Sequence, residues 1–224
     1  MQNHTWELVD LPPGSKPLGY KWIFKRKMKA DGSIDKYKTR LVVKGYRQKE
    51  GLDYFDTYSP MTRITSIRML ISIAALFNLE IHQMDVKIAF LNSDLNEEIY
   101  IEQPEGFVVS GQEKKVCRLV KSLYGLKQAP KQWHEKFDHT MLTNGFKINE
   151  CDKCVYVKNT DQGYVIVSLY VDDMRIIVSS QNMIKSTKQM LIKRFDMKDL
   201  GVADVILGMK ITKHLTVMHY LNLI

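Results

Sequence analysis

The sequence predicts an α+β fold whose main part is an antiparallel sheet with helices packed on one face. Two observations support this. From residue 80 onward the predicted elements follow the order strand, helix, hairpin, helix, strand, which is the split βαβ order of ferredoxin-like folds. The chain is also long enough for a sizeable core, with 224 residues of which 45% are hydrophobic.

The elements of the first half are predicted from local patterns. Two strands, 20–28 and 34–44, are joined through Asp31-Gly32, a hairpin signal. A helix begins at Thr65, a suitable N-cap, and carries apolar residues at helical spacing. The segment EIHQMDVKIAFL, 80–91, reads as a strand followed by a turn, and 97–101 and 116–120 read as short strands.

The second half alternates helices and strands. A helix is entered after Pro130 and stops near Gly145, with apolar residues four apart on one face. A hairpin follows through Asp161-Gln162-Gly163 and leads into the strand segment LYVDDMRIIV, 169–178. A helix is predicted over 182–195, and VILGMKI, 205–211, is predicted to be the last strand.

Composition narrows the class of protein. No apolar run approaches the ~20 residues that a membrane span needs, and the N-terminal residues lack a signal-peptide pattern, so we expect an intracellular protein without a transmembrane segment. Three cysteines are too few for a disulfide framework. Cys151 and Cys154 have the spacing of half a zinc site, but no second pair follows, which favours free thiols.

Positive charge is concentrated in one stretch. The chain has 33 Lys and Arg against 25 Asp and Glu, for a net charge of +8. Residues 20–49, here called the basic ribbon, contain eleven basic residues interleaved with aromatic ones. The only acidic residues in this stretch of sequence are Asp31 and Asp35. A solvated charged face would explain this composition, but a ribbon that contacts phosphates explains it better.

The pair Asp172-Asp173 interrupts the best strand segment of the chain. Acids are depleted from strands, so we expect the pair at the tip of a hairpin, where it is either a solvated turn or half of a metal site. Asp85 lies in IHQMDVKIAFL at the end of the predicted strand. If the two strands are neighbours, three carboxylates converge and offer the oxygen ligands that Mg²⁺ prefers.

The chain resembles the reverse transcriptase domain of copia-type LTR retrotransposon Pol polyproteins. The matching segments run from residue 5 to residue 211: TWELV, YKWIFKRKMKADGSIDKYKTRLVVKGYRQ, GLDYFDTYSP, QMDVKIAFLN, EEIYIEQPEGF, SLYGLKQAP, LYVDD and DLGVADVILGM. The resemblance implies an RNA-directed DNA polymerase with a right-hand fold, in which fingers precede a ferredoxin-like palm.

The resemblance assigns roles to individual residues. It implies catalytic acids and ligands for two Mg²⁺ ions, which Mn²⁺ could replace, at Asp85, the Val86 carbonyl, Asp172 and Asp173. Phe90 matches an aromatic gate against the ribose 2′-hydroxyl, although a buried core aromatic would look the same. The implied nucleotide-binding residues are Arg40, Lys44, Phe90, Gly125 and Gln128, and the implied primer grip is Ile206, Leu207, Gly208 and Met209.

The implied domains are an N-terminal segment with fingers over 1–80, a palm with interleaved fingers elements over 81–211, and a truncated divergent tail over 212–224. The expected partners are an RNA or DNA primer–template and deoxynucleoside triphosphates, without a membrane. The chain would then be a fragment with most of the thumb missing, and without the protease, integrase and RNase H parts of a Pol polyprotein.

One residue departs from the family pattern, because Arg175 stands where an apolar residue is usual after LYVDDM. One interpretation is that the Arg175 side chain reaches the sheet edge or pairs with a carboxylate. The other is that the chain is an inactive relic that binds nucleic acid through the basic ribbon alone. A nuclease using the same acids is a further alternative, but it does not explain YKTRLVVKG, Phe90 or SLYGLKQAP.

Overall fold

The computed structural model describes residues 4–29, 31–161, 163–213 and 218–222. The chain forms two compact units, and each is made of two separate stretches of sequence. Residues 1–59 and 90–135 form the first unit, and residues 60–89 and 136–224 form the second. This interleaving explains why the sequence shows no clean domain boundary.

The described residues form three α-helices and fourteen β-strands. The helices are α1 (Ile64–Leu76), α2 (Ala129–Thr143) and α3 (Gln181–Ile192). The strands are β1 (Trp6–Val9), β2 (Tyr20–Met28), β3 (Ile34–Val43), β4 (Glu80–Val86), β5 (Tyr100–Ile101), β6 (Val116–Leu119), β7 (Lys147–Ile148), β8 (Val155–Thr160), β9 (Gly163–Tyr170), β10 (Asp173–Val178), β11 (Met197–Val202), β12 (Val205–Ile206), β13 (Met209–Lys213) and β14 (Met218–Asn222). No helix in the described ranges is both long enough and apolar enough to cross a membrane.

The first unit contains a small sheet and a hairpin. The sheet has the order β1-β6-β5, and β2 pairs with β3 in the hairpin; all of these pairs are antiparallel. The predicted turn at Asp31-Gly32 is confirmed: the Asp31 carboxylate accepts hydrogen bonds from the Ser33 N–H and hydroxyl, and Gly32 has a φ of +81°. The core of this unit consists of Leu18, Val43, Ile99, Ile101, Cys117, Leu119, Leu123, Leu126 and Ala129.

The second unit is built on a six-stranded antiparallel sheet. Its strand order is β11-β4-β10-β9-β8-β7, so β10 lies between β4 and β9, as the split arrangement requires. The hairpin predicted between β8 and β9 is confirmed by the pairing of Thr160 with Gly163, while Gln162 lies outside the described residues. Of the predicted tail, 212–224, residues 214–217 and 223–224 likewise lie outside them.

Helices cover both faces of this sheet, because α1, which precedes the predicted strand-helix-hairpin-helix-strand unit, packs on the face opposite to α2. Phe137 of α2 packs on Tyr156 of β8, whereas α1 packs on Val155, the neighbouring residue, whose side chain points to the opposite face. Ile81, Ile166 and Ile177 belong to the α1 cluster as well. The central strands are buried on both faces, because residues 165–169 and 174–178 are buried without interruption.

The prediction of a single last strand over 205–211 is wrong. The edge strand next to β4 is β11, whereas VILGMKI forms β12, a turn and β13 in a separate three-stranded sheet with β14. β11 contains Lys198, Asp199 and Gly201 and a register shift, all of which are common at sheet edges and weaken the sequence signal of a strand.

Candidate active site

The two acids Asp172 and Asp173 lie at the tip of the β9–β10 hairpin, as predicted. Tyr170 pairs with Asp173, which leaves Val171 and Asp172 as a two-residue loop. Val171 has a φ of +59°, a conformation that is costly for a β-branched residue but that tight hairpin turns require at this position. The Asp172 carbonyl accepts a hydrogen bond of 2.9 Å from the Val86 N–H, which holds the turn against the end of β4.

Asp85 lies directly opposite Asp173 in the pairing of β4 with β10. Residues that pair across antiparallel strands project from the same face, so these two carboxylates belong to one face of the sheet. All three acids are half-buried. The backbone therefore brings together Asp85, Val86, Asp172 and Asp173, the four residues that the resemblance implies as metal ligands.

The side chains of these acids do not form a complete metal-binding site, here called a metal cage. Within the described part of the chain, no three His, Cys, Asp or Glu side chains are grouped closely enough to hold a metal ion. The Asp173 carboxylate instead contacts two neighbours: Oδ1 lies 3.4 Å from Gln83 Nε2, and Oδ2 lies 3.9 Å from Arg175 Nη2. The donor chemistry and the backbone placement thus fit Mg²⁺, while one donor is engaged by a resident cation.

Arg175 is buried, with 2% of its surface exposed, so the expectation that it reaches the sheet edge is wrong and the expectation of a carboxylate partner is confirmed. Its guanidinium lies 5.9 Å from the ring centre of Tyr170. Burial lowers the pKa of Arg175, whereas the nearby Asp173 and Tyr170 raise it by a smaller amount. Among the described residues, none of its three guanidinium nitrogens has a hydrogen-bond partner.

In the first unit, Arg40 and Phe90 meet on Tyr124. The guanidinium of Arg40 lies 5.0 Å from the ring centre of Tyr124, and the Phe90 ring packs edge-on against the same ring at 4.8 Å. Phe90 is half-buried against the core of this unit, so it packs as a core aromatic while keeping an exposed part. Lys44 lies at the end of β3, and its aliphatic chain runs beside Gly19. The sequence analysis gave no role to Tyr124, although this residue lies within the quoted segment SLYGLKQAP.

The backbone at Gly125 lies close to the end of β3, while its assignment to nucleotide binding stays a prediction. Gly125 has a φ of +94°, and a Cβ atom there would lie 2.1 Å from the Val43 carbonyl oxygen. A Cβ atom at Gly45 would lie 1.8 Å from the Gly125 carbonyl oxygen. Both positions therefore require glycine, and they fix the loop SLYGLKQ against the base of the basic ribbon.

Two buried glutamines hold this loop from inside. The Gln48 amide donates to Gln128 Oε1 at 3.0 Å and accepts from the Lys127 N–H at 2.8 Å. The Gln128 amide donates to the Asp53 carbonyl at 3.0 Å. The assignment of Gln128 to nucleotide binding stays a prediction. The sequence analysis did not predict a role for Gln48. The one feature that marks Gln48 in the sequence is its position, as an uncharged polar residue, after a strongly basic run.

The predicted primer-grip residues form a tight turn. Leu207 and Gly208 have φ values of +47° and +80° between β12 and β13, the pattern of a type I′ hairpin turn. Ile206 and Met209 are buried in the α1 cluster, whereas Leu207 is exposed. The turn, rather than the flanking side chains, is the accessible part of this segment.

The outer half of the basic ribbon is open to solvent. Phe24 and Tyr37 are 73% and 69% exposed, and the lysines between them are exposed as well. Exposed aromatic rings among cations are the combination that stacks on bases and contacts phosphates.

Comparisons with known proteins identify the family of this chain. The sequence model of the family described as "Reverse transcriptase (RNA-dependent DNA polymerase)" matches residues 3–222. The chain is 51% identical over 216 residues to the Retrovirus-related Pol polyprotein from transposon TNT 1-94 of Nicotiana tabacum, which covers 96% of this chain and 16% of that protein. It is 39% identical over 218 residues to the corresponding polyprotein from transposon RE1 of Arabidopsis thaliana, covering 97% of this chain and 15% of that protein.

The chain thus spans about a sixth of the length of these curated relatives. The predicted resemblance to transposon Pol polyproteins is confirmed by the match over nearly all of the sequence, which includes the acids at 85, 172 and 173. The chain therefore belongs to the reverse transcriptase (RNA-dependent DNA polymerase) family.

Proposed function

We propose that this chain is the polymerase part of a transposon Pol polyprotein and extends a primer on an RNA template with deoxynucleoside triphosphates. The observation that carries the proposal is the pairing of Asp85 with Asp173 beside a turn that holds Asp172. A plain solvated turn would not need a partner acid on the neighbouring strand, because like charges opposite each other are destabilising without a cation.

The three acids act as the metal-binding group of the second unit. These carboxylates would hold two Mg²⁺ ions, which would supply activation of an attacking hydroxyl and neutralisation of a leaving pyrophosphate. The protein's own contribution is to fix the acids: the hydrogen bond from Val86 N–H to Asp172 and the strained Val171 hold the turn in one geometry. The exposed Leu207–Gly208 turn is assigned to the primer end.

The first unit is assigned to the incoming nucleotide and the template. Arg40 supplies a fixed positive charge for the triphosphate, with Lys44 as a second candidate at the end of the same strand. Phe90, held edge-on by Tyr124, is assigned to the sugar, where its ring would exclude a 2′-hydroxyl. Gly125 and Gln128 shape the loop beside them, and the exposed lysines and aromatics of the basic ribbon contact the nucleic acid strand.

In the terms of a right-hand polymerase, the first unit corresponds to fingers and the second to a palm. The predicted boundaries at residues 80 and 211 remain a proposal of the same kind. The remaining partners, RNase H, integrase and protease, would belong to other parts of a full-length polyprotein.

An inactive nucleic-acid-binding relic is the second candidate, and a specific observation favours it. Asp173 is engaged by the buried Arg175, and the acids are not grouped as a metal cage in the described residues. In that case the basic ribbon would bind nucleic acid, and the acids would do nothing.

Primer extension on an RNA template with Mg²⁺ and deoxynucleotides separates the candidates. The test compares the chain with Asp172→Asn and with Asp161→Asn, an exposed acid in the β8–β9 turn. Extension that is lost in Asp172→Asn and retained in Asp161→Asn supports the polymerase. Shortened primers would indicate a nuclease, and no change of primer length with a folded protein would indicate the relic.

A further inference from the structure

The second unit contains a buried cation for which the proposed polymerase chemistry has no use. Arg175 follows Asp173 by two residues in β10, so both side chains project from the same face of the sheet. Further along the same strand and face lies Ile177, which packs in the apolar cluster under α1. The guanidinium is thus placed between an apolar core and a carboxylate of the candidate metal site.

Among the described contacts of Arg175, Asp173 is the one charged neighbour. Its cross-strand partners are Gln83 on β4 and Ser168 on β9, both uncharged. Gln83 directs its amide to Asp173, at 3.4 Å, and the buried Ser168 hydroxyl has no hydrogen-bond partner among the described residues. The Asp173 oxygen at 3.9 Å therefore provides the main compensation for the buried charge.

The positive charge of Arg175 must repel any cation that binds the Asp173 carboxylate. A buried cation cannot move into solvent to make room, and in a medium of low dielectric its field is screened weakly. A divalent ion at Asp173 would have to displace the ion pair and also approach a like charge within a few ångströms. Binding of the metal and pairing with Arg175 are therefore mutually opposed.

We propose that Arg175 is a resident counter-cation of Asp173 that weakens the binding of divalent metal ions to the acids at 85, 172 and 173. This inference rests on the proposed function, because it concerns the same metal site. It makes Arg175 a positioning residue: it acts through Asp173 and touches no substrate. It also explains why the described acids are not grouped as a cage although their strands are paired.

The test measures binding of Mn²⁺, a paramagnetic probe, to the purified chain by the loss of the electron paramagnetic resonance signal of the free ion. Arg175→Gln, which removes the charge and keeps a polar side chain, is expected to lower the Kd roughly tenfold or more. Arg175→Lys, which keeps the charge, should stay within about threefold of the unchanged chain. Arg194→Gln removes an exposed charge from the same unit and serves as the control for net charge.

Two further variants distinguish a failure of the counter-cation proposal from a failure of the proposed metal site. Asp85→Asn reports whether Mn²⁺ binds at this site at all, and Asp173→Asn combined with Arg175→Gln should abolish the gain seen with Arg175→Gln alone. Tighter binding that requires Asp173 supports the proposal. If Asp85→Asn abolishes binding but Arg175→Gln leaves the Kd unchanged or raises it, the counter-cation is refuted while the metal site stands. If neither the unchanged chain nor Arg175→Gln binds Mn²⁺, although thermal unfolding shows both to be folded, the metal site and the counter-cation are both refuted.

Discussion

Replacing Arg175 with leucine should stabilise the protein. The side chain is buried, its three nitrogens lack hydrogen bonds within the described residues, and leucine has a similar volume. Each unsatisfied buried donor costs about 1–3 kcal/mol, and the ion pair with Asp173 returns up to about 4 kcal/mol at an effective dielectric of 20. Asp173 is 33% exposed, so water screens the ion pair while it exists and solvates the carboxylate once the arginine is gone.

We therefore expect Arg175→Leu to raise the free energy of unfolding by about 1–3 kcal/mol, within the range seen when buried ion pairs are replaced by apolar groups. For a chain of this size that corresponds to a rise in Tm of roughly 2–12 °C. The assay is thermal unfolding followed by circular dichroism. Arg194→Leu, at an exposed position, makes the same change in net charge and should leave Tm nearly unchanged. An unchanged or lower Tm for Arg175→Leu would refute the reasoning, because the guanidinium would then be well compensated.

Three other predictions concern the loop, the glutamines and an edge carboxylate. Gly125→Ala should destabilise the chain by more than about 2 kcal/mol in urea unfolding, because its Cβ would clash with Val43; Gly14→Ala, with a similar φ and no neighbour within 4 Å, should cost only about 1 kcal/mol. Gln48→Ala should cost about 2–4 kcal/mol in the same assay, since it leaves the Lys127 N–H and Gln128 Oε1 without partners, and a loss below 0.5 kcal/mol would contradict this. The pKa of Asp199 lies below its ordinary value because, although burial raises it, the hydrogen bonds from Lys188 and the Gly201 N–H lower it further. Its contribution to stability is therefore complete above pH ~4 and is lost as pH falls through the lowered pKa. Asp199→Asn should accordingly lower the free energy of unfolding at pH 7 and reduce its decrease towards pH 3, whereas equal slopes in both proteins would refute the assignment.

The sequence predicted those features that depend on short-range signals. The Asp31-Gly32 turn and the acids at the tip of the β9–β10 hairpin follow from residues adjacent in the chain, and the structure has both. The pairing of Asp85 with Asp173 was expected only on the condition that their strands are neighbours, which periodicity cannot decide. The pairing of β4 with β10 meets that condition.

The features that were missed depend on which face of the sheet is covered. The position of α1 was not predicted, because the sequence does not show that β9 and β10 are buried on both faces, with Ser168 and Arg175 interrupting their apolar residues. Arg175 is buried on the same face, two residues before Ile177 of the α1 cluster. The roles of Gln48 and Tyr124 arise from contacts between residues about 35 to 80 positions apart, and no local pattern marks them.

The interleaved arrangement of the two units also determines the order in which the protein can fold during synthesis. Strand β4 ends at Val86, but both of its partners, β10 and β11, are made after residue 172. A strand with two unpaired edges must therefore wait for almost 90 residues of further chain, which at about 5–20 residues per second takes roughly 4–17 s. Closing so long a loop costs little additional entropy, but pairing over such a distance is slow. During that interval β4 is exposed to the hazards of any open strand edge, so we expect the nascent chain to need protection from association until the acidic turn has emerged.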